Sequence, residues 1–255
     1  MPEMQVIEPA KFVGKVWQDP KGFSFARGHN AIPVLAAELA QLVSMLPVGF
    51  VKSRDKYLMV AVTSLHQNAN YFVAPDGRWL GHYTPVELRC YPFRLLPQKD
   101  SDEGVLCIDT ESGLIKKGGK GNAFFDKDEN PSEALGNVLN FLSEVERNRQ
   151  GTQAVVDVLV DLGLIQPWPL QLNTPDGEQP VKGLYRVDEQ AMNALSDADW
   201  KKLRQSGAIP LAYSQIISMH QLPMLQRAMN IHANWDKLKD ADFSQPGAMS
   251  MSPSQ

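Results

Sequence analysis

An apolar stripe at helical spacing constrains this chain more than any other feature. Leu135, Val138, Leu139, Leu142, Val145, Val155, Val156, Leu159 and Leu162 recur on one face of a predicted helix. Asn130, Pro131 and Glu133 supply its start, and Gly163 is a natural C-terminal stop. About thirty residues at ~1.5 Å rise give a rod of ~45 Å. A helix of that length with one apolar face braces or links lobes, so the elements around it must provide the surface it buries.

The residues before it favour strands. Val48 to Val51, Tyr57 to Thr63 and Asn70 to Ala74 are rich in β-branched and aromatic residues and predict three strands, the last closed by the turn Pro75-Asp76-Gly77. Val6 to Arg27 has the composition of extended edge structure. Ala31 to Leu46 predicts a helix, capped by Asn30 and ended by Pro47, because Leu35, Leu39, Leu42, Val43 and Leu46 follow helical spacing. In His82 to Pro97, Thr84 caps, Pro85 suits the first helical position, and Pro92 stops the helix before a strand. Asp100 to Glu103 forms an acidic turn, Val105 to Asp109 a strand, and Glu111 to Asn122 a Gly- and Lys-rich loop.

Beyond the long helix, Pro169 to Asn173 and Val181 to Val187 flank Pro175-Asp176-Gly177, a second hairpin. Asp188 and Ser196 cap two short helices, Gly207 closes the second, Pro210 opens an apolar helix and Pro223 restarts it. The resulting fold class is α+β: a mainly antiparallel sheet in the N-terminal half, with the long helix, a β-hairpin and short helices in the C-terminal half. The expected organisation is a β lobe over residues 1–123, a helical lobe with the hairpin over 124–235, and a disordered polar tail over 236–255.

Composition excludes several functions. Among 255 residues the net charge is −4, and the single dense basic run is Lys116 to Lys120. No field is available to hold a nucleic-acid backbone. That run lacks the Gly-Lys-Ser/Thr ending of a phosphate loop. No stretch of eighteen apolar residues occurs, and the first residues do not form a secretory signal, so the expectation is a soluble cytoplasmic protein without membrane insertion. Cys90 and Cys107 make no disulfide framework, and Cys107 has the setting of a core thiol.

Chemistry-bearing residues are dispersed. His29, His66, His82, His220 and His232 share no local metal spacing, and Asp126 to Asn130 lacks the glycine and terminal glutamate of a calcium loop. The sequence therefore predicts no cofactor. Two clusters stand out as candidate ligand sites. Arg89, Tyr91 and Arg94 form either a packed corner or a pair of guanidinium forks for an anion. Arg27 and His29 stand just before the expected helix start, where they either tie down the loop or meet an anion. The rival reading is a metal-dependent, oxygenase-like enzyme that gathers His66, His82 or His29 with Asp109.

Several short motifs together resemble the SapC family of bacterial proteins. They include Gly22 to Arg27, Ala31 to Leu35, Pro75 to Trp79, Tyr91-Pro92-Phe93, Cys107-Ile108-Asp109, Phe125-Asp126, Gly183 to Glu189 and Ser206-Gly207-Ala208. The resemblance covers about residues 10–230. It implies a tie to surface-layer biology and to outer-membrane receptor systems, and excludes the peptide-transport permease of the same name, which needs several membrane spans. The expected partners are a small anionic or peptide ligand and a protein of a cell-surface system. An accessory, noncatalytic binding role fits the residues better than turnover.

Overall fold

The computed structural model describes residues 3–98, 101–174, 177–241 and 243. In chain order it places β1 (Met4–Val6), α1 (Pro9–Phe12), β2 (Lys15–Trp17), β3 (Ala31–Pro33), α2 (Leu39–Leu42), β4 (Val48–Ser53) and β5 (Lys56–Val62). There follow α3 (Val86–Cys90), β6 (Phe93–Gln98), β7 (Ser101–Asp109), β8 (Ile115–Lys117), β9 (Asn122–Ala123) and the long α4 (Glu133–Asp161). The remainder is β10 (Ile165–Pro167), β11 (Leu170–Thr174), β12 (Gly177–Val181), β13 (Leu184–Val187), α5 (Glu189–Asn193), α6 (Asp197–Gln205), α7 (Ala208–Ser218), α8 (Leu222–Ala233) and α9 (Trp235–Leu238). The fold is α+β, and its strand pairs are antiparallel.

The chain divides into two compact units, each built from two separate stretches: residues 1–21 with 87–148, and residues 22–86 with 149–255. This differs from the expected boundary at residue 123, because strands distant in sequence complete each other's sheets.

The first unit holds two small sheets, of order β1-β7-β6 and β8-β2-β9. Its core is aromatic. Phe124 packs 4.8 Å from both Phe12 and Trp17, and Trp17 meets Phe93 edge-on at 5.2 Å. The edge structure expected before Arg27 is corrected here, since β2 is the central strand of its sheet. So is the expected loop from Glu111, which contains β8: Ile115 pairs with Trp17 and Lys117 with Lys15. Ser101 to Glu103 belong to β7 rather than to an acidic turn, while Asp100 lies outside the described residues. Ser132 starts α4, its hydroxyl accepting from the Leu135 N–H at 3.1 Å.

The second unit is built on a five-stranded sheet, β10-β13-β4-β5-β3, with β11 and β12 as a separate hairpin. Helix α7 is tied to this sheet by its own polar residues. Gln215, fully buried, accepts from the Val187 N–H at 2.9 Å and donates to the Val48 carbonyl at 3.0 Å, and the Ser218 hydroxyl accepts from the Val48 N–H. Asp188 and Ser196 cap α5 and α6 as expected. Gly163 takes the left-handed conformation, φ 68°, that ends α4.

Four expectations fail in this unit, the first being the hairpin strand over Val181 to Val187: β11 pairs instead with Gly177–Val181, and Leu184–Val187 joins the five-stranded sheet. The helix over Ala31 to Leu46 is reduced to a 3₁₀ turn and α2, because Ala31 to Pro33 pair with Val62 to Val60 as an edge strand. Asn70 to Ala74 is not a strand and keeps only the bridge Val73↔Trp79. Asn70 turns this segment by accepting from the Phe72 N–H at 3.0 Å and donating to the Ala26 carbonyl at 3.1 Å. The polar tail begins with α9 instead of irregular chain, whereas residues 242 and 244–255, and the turn residues Pro175 and Asp176, lie outside the described residues.

Candidate functional site

Strand register sets the floor of a cleft in the second unit. Val51 lies opposite both Leu184 and Leu58, and Ala31 lies opposite Val62. Alternation puts Leu58 and Val62 on one face, so Ala31, Val51 and Leu184 share it. Over them opens a cleft of about 790 Å³, walled by residues 64–68 on one side and 179–183 on the other. Its volume lies within the range of small-ligand sites.

Buried hydroxyls and an amide shape the first wall. Thr63 is fully buried, its hydroxyl donating to the His29 carbonyl at 2.8 Å and its N–H to the Asn30 carbonyl at 2.9 Å. The buried Ser64 hydroxyl accepts from the His66 N–H at 2.9 Å, and Asn68 adopts a left-handed φ of 56° that suits its short amide. Residues 27–30 are thereby strapped beside residues 63–70. The second wall turns out of β12 through Gly183, at φ 85°.

The lining contains no carboxylate. Lys182 is its one permanent charge and His66 its one imidazole, among the amides of Asn30, Gln67, Asn68 and Gln179. Every one of these side chains offers a hydrogen-bond donor, so the cleft is suited to an acceptor-rich or negatively charged guest.

The residues singled out in the sequence are divided between the two units. Arg27 and His29 belong to the second unit but do not line the cleft; both are exposed, and Arg27 Nη2 donates to the Pro75 carbonyl at 2.6 Å. His66 lines the cleft, its ring edge-on to Tyr71 at 5.7 Å, and Tyr71 in turn meets His232 at 5.3 Å. Burial holds His232 below the ordinary histidine range, and the Arg27 charge adds to this against two backbone carbonyls that oppose it. Its Nε2 is buried without a hydrogen-bond partner.

Arg89, Tyr91 and Arg94 lie in the first unit. Arg94 Nη2 pairs with Glu87 Oε1 at 2.8 Å, and the exposed Arg89 guanidinium stands 5.9 Å from the Phe141 ring. The Tyr91 hydroxyl lies 3.4 Å from Asp109 Oδ2, while Asp109 Oδ1 accepts from the Glu111 N–H. Burial, then the Asp109 charge, pushes the Tyr91 phenol up.

Of the residues named for the rival metal reading, Asp109 is in the first unit and His66 and His82 are in the second, where His82 Nε2 stands 3.5 Å from the Ser44 hydroxyl. Among the described residues no three His, Cys, Asp or Glu side chains are placed to hold a metal ion. Both cysteines are buried, and burial pushes the Cys107 thiol up, away from the reactive thiolate.

Sequence reasoning missed Lys182, Gln179, Asn68 and Ser64. The one local signal was the polar run Ser64 to Asn70 between apolar segments, whose relation to residues 179–183 exists only in the folded sheet.

Among the described residues no helix is long and apolar enough to cross a membrane. No curated protein and no solved structure matches the chain. The SapC family model matches residues 7–225, most of the sequence, and by that match the chain belongs to the SapC family.

Proposed function

We propose that this protein is a noncatalytic binding protein, a cytoplasmic accessory to a surface-layer or outer-membrane uptake system, whose cleft in the second unit takes a small anionic or peptide ligand. The observation that carries this reading is the cleft lining, where donors surround a preformed space and no carboxylate opposes a negative guest. Asn30, at the end of the segment strapped beside the first wall, lines the cleft, and the exposed Arg27 three residues before it adds a permanent positive charge to the same unit. The link to a cell-surface system rests on the resemblance alone.

Thermal melting against a panel of small carboxylates, phosphates and tripeptides tests the reading. A ligand at one hundred times its Kd stabilises by about 2.7 kcal/mol, and the Lys182→Glu variant, altered at an exposed side chain, loses that shift while keeping the melting temperature of the free protein. A panel that shifts nothing, or a variant that responds as the parent does, contradicts it.

A further inference from the structure

The cleft is bordered by two strands with a free edge, β3, which pairs only with β5, and β12, which pairs only with β11 among the described residues. Such edges ordinarily invite an extended peptide to add as another strand. Hydrogen-bond phase shows that neither edge is suited to it. The Thr63 N–H donates to the Asn30 carbonyl and the Val34 N–H to the Met59 carbonyl. Antiparallel pairs alternate, so Ala31 and Pro33 are the positions whose backbone groups point away from β5. One of the two outward positions on this short edge therefore has no N–H to offer.

The same holds on the other border. Thr174 pairs with Gly177 around two intervening residues, and the closing pair of a two-residue hairpin is the hydrogen-bonded one. Alternation then makes Leu172 with Gln179 a bonded pair and Gln171 with Pro180 an unbonded one, so Pro180 faces the open side of β12. A proline stands at an outward position of each bordering strand, and a guest strand would forfeit a bond on either.

Resting on the reading of the cleft as a ligand site, we infer that its ligand is held end-on by an oxyanion, a carboxylate or a phosphate, placed between His66 and Lys182 on the two walls, and is not added to the sheet as a strand. The flanking amides of Asn68 and Gln179 hold the remainder of the ligand, which is short because the guest gains no ladder of backbone bonds. Lys182, exposed at the turn into β13, supplies the fixed charge that orients it.

Three probes on the full chain test this by calorimetry: a pool of N-acetylated tripeptides with free C-terminal carboxylates, the same pool amidated, and glycerol phosphate. Binding of the acid pool, of glycerol phosphate, or of both identifies the oxyanion's source. In each case the Lys182→Gln variant binds the preferred probe about tenfold or more weakly, and the acid pool exceeds the amidated pool by a similar factor if the carboxylate is the anchor. Methylating the central backbone nitrogen of a bound tripeptide leaves its affinity unchanged. Equal binding of amidated and acid pools, with loss on N-methylation, overturns the inference in favour of strand addition while leaving the cleft a binding site. No binding by any probe overturns both.

Discussion

The two units bury different kinds of side chain. In the first, rings pack against rings: Phe12, Trp17, Phe93 and Phe124 fill the space between two small sheets, and Asp109 is its one buried polar residue among those described. In the second, Phe50, Phe72 and Trp168 share the core with aliphatic side chains, and seven of the eight buried polar residues lie there, including Glu38, which is 4% exposed. Its carboxylate accepts from the Leu35 and Val86 N–H groups and from the Tyr83 hydroxyl. Ring packing holds sheets together without fixing individual loops. Buried acceptors with directional bonds position specific backbone groups. The cleft lies in the unit that uses the second strategy, and its wall at residues 63–68 is made by it.

The largest effect that could break this comparison is expected at Trp17. Trp17→Ala removes the ring that touches Phe93 and Phe124 and should cost about 4 kcal/mol, with amide exchange in β2 and β8 rising more than in β4 and β5. Equal rises in both units would show that the aromatic core is not specific to the first. A smaller loss is expected from Gln215→Leu, which leaves the buried Val187 N–H without its side-chain partner and removes one of two side-chain donors to the Val48 carbonyl, at about 2 kcal/mol. Denaturant midpoints measure it, and an unchanged midpoint would remove the directional bonds from the account of the second unit.

The smallest effect concerns pH. His232 ionises below its ordinary value of 6.5 in the folded chain, so the unfolded chain takes up the proton first. The second unit should keep its stability above that value and lose some of it as pH falls through the folded pKa. Melting temperatures across this range for the parent and for His232→Gln read the difference, and the variant should show the shallower acid limb. Identical slopes would assign the acid sensitivity to other groups.

Long-period patterns are legible in the sequence. Helix α4, the helices begun by Asp188 and Ser196, and strands β4 and β5 follow from spacing, caps and β-branched content, all of which act within a few residues. Ala31 to Leu46 misleads because its helically spaced leucines all follow Pro33 and carry only a 3₁₀ turn and α2, while Ala31 to Pro33 are taken by pairing with β5. Asn70 to Ala74 has strand composition, but the bonds of Asn70 to Ala26 and Phe72 bend it. At the cleft, His66 was visible as a candidate, whereas Lys182 was not, since its only claim is its place across the sheet face from residues 64–68.

The interleaving of the units has a consequence for synthesis on the ribosome. Once Asn148 has emerged, all residues of the first unit are available, while 22–86 still await 149 onward. Until Val187 follows, β4 has β5 on one side and no β13 on the other. The nascent chain therefore carries an open, apolar strand border while residues 63 to 187 are made, at about 5–20 residues per second, and that interval is when a chaperone has most to shield.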